Sequence, residues 1–162
     1  MTISRLLVAA CAAASLLTLP AVAGATVVPG KSIAGVALGM GLSKVDKKLG
    51  PAIKLVNHSN EEPGVDGFNV LDATYEKGYV VSYRPAKRGT AALISTTNKA
   101  QKTAAGIGVG ATLAAVKAKH PKAKCFATAC TLGEIAKVGA RFTEFKLKAG
   151  KVSRVSVGIV QP

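Results

Sequence analysis

Residues 34–49 read A-G-V-A-L-G-M-G-L-S-K-V-D-K-K-L and residues 105–120 read A-G-I-G-V-G-A-T-L-A-A-V-K-A-K-H, and the two stretches align without a gap. Ala34, Gly35, Gly39, Leu42, Val45 and Lys48 recur as Ala105, Gly106, Gly110, Leu113, Val116 and Lys119, while Val36 and Leu38 stand opposite Ile107 and Val109. Six identities and two conservative pairs predict two copies of one structural unit. In each copy a Gly-punctuated apolar segment leads into a helix of about two turns. Leu42, Val45 and Leu49 fall at i, i+3 and i+7, and Leu113, Val116 and His120 repeat that face. Thr112 is a good N-cap and Gly41 a permissible one, and Gly50-Pro51 and Pro121 are stop signals. Helices this short cannot stand alone, so each must pack on something broader.

The segments after each helix have strand character. Residues 71–75, 79–84 and 90–97 are rich in β-branched and aromatic side chains and are punctuated by Lys77-Gly78 and Lys87-Arg88-Gly89. Residues 141–147 and 152–160 flank the turn signal Lys148-Ala149-Gly150-Lys151. Phe145 and Leu147, then Val155, Val157 and Ile159, alternate as one buried face should, which sends Glu144, Lys146 and Arg154 to the other. The expected fold is α+β: two tandem copies of a short-helix plus antiparallel-sheet repeat, with the helices on one face of the sheet and the other face open. The expected organisation is a signal peptide over residues 1–23, an N-terminal linker over 24–30, repeat one over 31–100 and repeat two over 101–162.

Export is expected from the first residues. Arg5 precedes an uncharged apolar stretch over residues 6–19, and Ala21-Val22-Ala23 offers a peptidase the small side chains it reads, with cleavage after Ala23. The stretch is too short for a stable membrane anchor. Val8-Ala9-Ala10-Cys11 has the form of a lipid-attachment box, although the apolar run continues past Cys11 and so favours a soluble product, secreted or associated with the periplasm or cell envelope. Cys125 and Cys130 then remain as an even pair in an oxidising compartment and are expected to form a local disulfide. A metal site is the weaker alternative, because with His120 the set lacks a fourth ligand.

Without Arg5 the chain holds 21 basic and 8 acidic residues, net +13, a field that attracts acidic protein surfaces and polyanions, or that simply keeps the protein soluble. The charge is uneven: residues 26–100 are net +4 and residues 101–162 net +9. The chain has no Trp, 3 Tyr and 4 Phe, too few platforms for a stacking nucleic-acid binder, and no sequence-specific nucleic-acid contact is expected. Catalytic signals are equally sparse. His58 lies in a polar stretch, His120 takes the place of core Leu49, and Glu61-Glu62 are adjacent loop acids. Gly106, Gly108 and Gly110 lack the strand and the Lys-Ser/Thr ending of a phosphate loop. No enzyme activity, cofactor or metal is expected.

The pattern I-x-x-[IV]-x-x-G-M-[ST]-x-x-x-V-x-x-x-x-G is matched here by Ile33, Val36, Gly39-Met40, Leu42, Val45 and Gly50-Pro51, and by Ile107, Gly110, Thr112, Leu113 and Val116 in the second copy. It resembles the fold shared by the β-lactamase inhibitory proteins and by small protein A, the lipoprotein of the outer-membrane barrel-assembly machine. The tandem arrangement resembles the inhibitors, in which a disulfide joins the segment after the helix to the first strand; Cys125 and Cys130 fall in that place. The resemblance implies a protein-binding scaffold. It does not carry β-lactamase inhibition across, because the family uses an aromatic concave face and an acidic hairpin loop. Here the corresponding segments hold Lys146, Lys148, Lys151 and Arg154, and Arg84, Lys87 and Arg88. The expected function is therefore an exported, inhibitor-like binding scaffold, with a basic cell-envelope or polyanion binder as the alternative. Its expected contact set is Tyr75, Tyr79, Tyr83, Arg84, Arg88, Lys146, Lys148 and Arg154, facing an acidic protein surface or an anionic envelope polymer.

Overall fold

A computed structural model describes residues 26–58, 70–84 and 89–161. The expected signal segment, most of the polar stretch at 57–67 and the basic turn carrying Lys87 and Arg88 lie outside the described residues. Three two-residue strands, β1 (Val27–Val28), β2 (Ser32–Ile33) and β3 (Val36–Ala37), form a small antiparallel sheet ahead of α1 (Leu42–Leu49). Four strands follow, β4 (Lys54–His58), β5 (Val70–Tyr75), β6 (Tyr79–Arg84) and β7 (Thr90–Thr96). Then come α2 (Leu113–Lys119) and four more strands, β8 (Lys124–Cys125), β9 (Ala129–Gly133), β10 (Arg141–Lys148) and β11 (Lys151–Ile159). The class is α+β, mostly antiparallel sheet with two helices.

All eight later strands join one sheet in the order β4-β5-β6-β7-β11-β10-β9-β8, so each helix is followed by a four-strand meander and the meanders meet edge to edge. At the seam Leu93, Ile94, Ser95 and Thr96 oppose Gly158, Val157, Ser156 and Val155. The Ser95 and Ser156 hydroxyls are buried there and hydrogen-bonded to each other at 2.9 Å, which satisfies two polar groups that would otherwise be costly inside.

The segments leading into the helices behave alike. Gly39 and Gly110 both take positive φ, 88° and 94°, a region open to glycine but strained for other residues. Their amides donate to the carbonyls of Ala91 and Val152, whose own amides donate back to the carbonyls of Met40 and Ala111, all at 2.8 Å. The N-cap residues Gly41 and Thr112 share one extended conformation, but only Thr112 has a side chain to accept from an amide, that of Ala115 at 3.1 Å. Val45 and Val116 are the buried residues of their helices, each fully inaccessible.

One row of cross-strand partners runs through the sheet from Tyr75 to Tyr79, Thr96, Val155, Phe145, Cys130 and Cys125. These side chains lie on one face, here the core face, because directly opposed residues point to the same side. Ala73, Val81, Ile94 and Val157 share it, and Val45, Val116 and the N-terminal Val27, Ile33 and Val36 belong to the same buried cluster. The expected linker over 24–30 is thus partly a fold element. Val27 is fully buried, and the amides of Thr26 and Val27 donate to the Lys102 carbonyl at 3.1 and 2.9 Å, tying the start of the described chain to the segment before α2.

Candidate binding face

The opposite, outer face of the sheet carries a different chemistry. One of its rows runs Asp72, Ser82, Leu93, Gly158, Phe142 and Gly133, and the next runs Thr74, Val80, Ser95, Ser156, Glu144, Thr131 and Lys124. Over the first row lies a concavity of about 460 Å³, whose apolar walls are Val70, Leu93, Ile135, Phe142, Ile159 and Val160 and whose polar groups include Ser82, Arg84, Thr131, Glu144 and Gln161. An apolar hollow with a few convergent polar groups is the usual form of a ligand or side-chain pocket.

Gly158 lets two of the walls, Phe142 and Leu93, close over β11. It sits inside β11, where glycine weakens a strand and often marks a close approach. A β-carbon there would stand 2.7 Å from Phe142 Cζ and 2.8 Å from Leu93 Cδ1, so only a glycine lets those two side chains converge across the strand. The register shifts between Ser82 and Tyr83, where β7 carries the extra residue Ala92, and Ala92 lines the same concavity. Ile135 stands at the mouth, 49% exposed, in a turn where the Glu134 carboxylate accepts from the Ala136 amide at 3.1 Å. That bond, with the charge of Lys124, holds the Glu134 carboxyl below its ordinary value.

Lys146 and Arg154 are direct cross-strand partners on the outer face, both exposed, and Lys148 follows, exposed, at the end of β10. Arg84 is half-buried and lines the concavity. Arg88 lies outside the described residues. The structure thus brings Arg84 to the concavity and Lys146, Lys148 and Arg154 to the lower end of the same sheet.

The three tyrosines require a correction. Tyr75, Tyr79 and Tyr83 are 1%, 6% and 1% exposed and belong to the buried core rather than to an exposed aromatic patch, although Tyr83 also lines the concavity. The Tyr75 hydroxyl donates to Asp46 Oδ1 of α1 at 2.9 Å and lies 2.9 Å from the Tyr83 hydroxyl. Burial foremost, then the hydrogen bonds with Tyr83 and Asp46, raises the Tyr75 phenol far above its ordinary value. These hydroxyls complete a buried polar network that ties α1 to β5 and β6.

Cys125 and Cys130 oppose each other in β8 and β9 with their sulfurs at bonding distance, 2.05 Å. His120, at the end of α2, stacks on Phe145 with ring centroids 5.6 Å apart and has Thr103 Oγ1 3.4 Å from Nε2; burial lowers its pKa. On the outer face His58 Nε2 meets Asp72 Oδ2 at 3.2 Å. Among the described residues no three His, Cys, Asp or Glu are grouped to hold a metal ion, and no helix is long and apolar enough to cross a membrane.

The concavity was not anticipated from sequence, and Gly158 was the available signal, a lone glycine inside an otherwise β-branched strand. The molecule is thus an α+β protein with an eight-stranded sheet, one face buried and the other carrying a hollow and a cationic end. Comparison with protein-family models, with curated proteins and with solved structures finds no match.

Proposed function

We propose that this chain is an exported, non-enzymatic binding scaffold built from two tandem copies of one helix-plus-sheet unit, with both helices on the core face, and that its outer face grips an acidic protein partner. The equivalent hydrogen bonds at Gly39 and Gly110 and the equal burial of Val45 and Val116 support the two copies. One observation carries the binding role: on a single outer face, an apolar hollow of about 460 Å³ lies within the same sheet as the exposed pair Lys146 and Arg154. An apolar anchor site with a charged rim is how protein interfaces divide affinity from steering. The inhibitor-like fold resemblance and the leader-like first residues fit a scaffold that meets its partner outside the cell.

The test is capture of partners from the secreted and envelope fractions of the producing cell at low and high salt, with Ile135→Lys and the K146E/R154E double variant alongside wild type. Ile135→Lys places a charge at the mouth of the hollow and abolishes capture at both salt concentrations. K146E/R154E slows association, most at low salt, because rim charges act on the on-rate. Capture that ignores Ile135→Lys and vanishes with salt would replace this reading with the polyanion one.

A further inference from the structure

Phe126 is the most exposed large apolar side chain among the described residues, at 69%, while Phe145 and the three tyrosines are buried. It sits in the β8–β9 turn, closed by the Cys125–Cys130 pair and by the Phe126 amide donating to the Ala129 carbonyl at 2.8 Å. Ala127 and Thr128 beside it are exposed, small and uncharged. The turn is therefore a rigid, neutral tip that presents an aromatic ring to solvent.

The surroundings of the tip are cationic. Ala129 pairs with Lys146, and the Leu147 amide donates to the Thr128 carbonyl at 2.7 Å, which locks the tip against the end of the β10–β11 hairpin. That hairpin closes with Lys148 opposite Lys151, both exposed. Lys122 and Lys124 precede the tip, also exposed, and no acidic residue occurs from 101 to 133.

We infer that this tip is a contact site for an anionic phospholipid surface, with Phe126 entering the interface and Lys148 and Lys151 meeting the headgroup phosphates. Aromatic side chains settle at the headgroup level, and lysines near an anionic bilayer each strengthen binding. The cations favour lipid over a protein partner. They are lysines, which protein interfaces deplete and which act as mobile point charges suited to a fluid surface. A single ring also offers no stacking series for a nucleic acid. The site shares only Lys148 of the cationic end with the acidic-partner reading and uses neither the hollow nor Ile135, so the two are tested by different variants.

Because the chain contains no Trp, Phe126→Trp creates one reporter at the tip. Its emission is expected to shift to the blue with vesicles of mixed phosphatidylglycerol and phosphatidylcholine, and to stay unmoved with phosphatidylcholine alone. K148E/K151E weakens vesicle partitioning by at least about twentyfold, taking roughly fivefold per lysine near the surface. K44E/K47E on α1, which changes net charge equally in the first half of the chain, weakens it far less. Phe126→Ser weakens it further at fixed charge. All five positions are exposed, and circular dichroism verifies each variant's fold. Vesicle binding with unmoved Phe126→Trp emission, equal losses for both lysine pairs, or no binding to anionic vesicles overturns the inference.

Discussion

The two halves of the sheet share an order of elements, a short helix followed by four strands, and differ in the side chains that join helix to sheet. Each has a glycine turn bonded to its last strand, a helix of two turns with one buried valine, and a four-strand meander. In the first half the helix is held to the sheet by polar groups, Asp46 with Tyr75 and Tyr83. The second half has no tyrosine; there His120 stacks on Phe145, and the short β8 is pinned by Cys125 and Cys130. The hydrogen bonds at the glycine turns and one buried valine per helix are common to both halves, while the means of fastening helix to sheet differs between them.

The sharpest test of the shared part is the valine pair. Val45→Ala and Val116→Ala are each expected to cost about 1–3 kcal/mol, through lost burial and the cavity left behind. Chemical denaturation measures both, and the values should agree closely if the sites are equivalent. A large difference would break the comparison at its centre.

The unshared parts come next. Replacing Cys125 and Cys130 by serine is expected to lower stability by about 2 kcal/mol, the chain-entropy contribution of so short a loop. Thermal unfolding of the oxidised and reduced protein reads it. Tyr75→Phe should cost about 1 kcal/mol, because Asp46 and Tyr83 lose a partner while partial access to water at Asp46 softens the loss. The same network makes the first half alkali-sensitive. Folding raises the Tyr75 phenol above its usual 10.0, so as pH rises past 10 the unfolded chain ionises while the folded one resists, and stability falls. Burial also raises Tyr79 and Tyr83. In Tyr75→Phe this alkaline slope is shallower.

Legibility from sequence followed the same division. Both helices and the five strongest strands were readable to within a residue or two, because a 3.6-residue apolar face and a two-residue alternation survive without tertiary help. In the second half Glu144, Lys146 and Arg154 label the outer face, so Phe145 and Leu147 could be assigned to the core. In the first half the face opposite the tyrosines holds Val80 and Ser82, which label nothing, and alternation alone cannot tell inside from outside. What decides it is Asp46, 29 residues before Tyr75 in sequence, whose carboxylate makes the buried hydroxyl affordable. β4, β8 and β9 were missed for another reason. K-L-V-N-H, K-C and A-C-T-L-G have little strand propensity of their own and are held by their neighbours' ladders.

The smallest expected effect compares one position across the halves, where Leu49 follows the valine in α1 and His120 ends α2. Burial against Phe145 lowers the His120 pKa from its usual 6.5. A lowered folded-state value gives stability that is present above 6.5 and lost as pH falls through that region, because the unfolded chain takes up the proton first. His120→Leu installs the residue that the first half already uses, removes the titrating ring and keeps an apolar contact with Phe145. Its stability should fall less than wild type's as pH drops from neutral toward 5, and other titrating groups cancel in the difference between the two profiles. Parallel profiles would mean that His120 is as well solvated folded as unfolded, and that the two helix ends differ in composition without differing in the work they do.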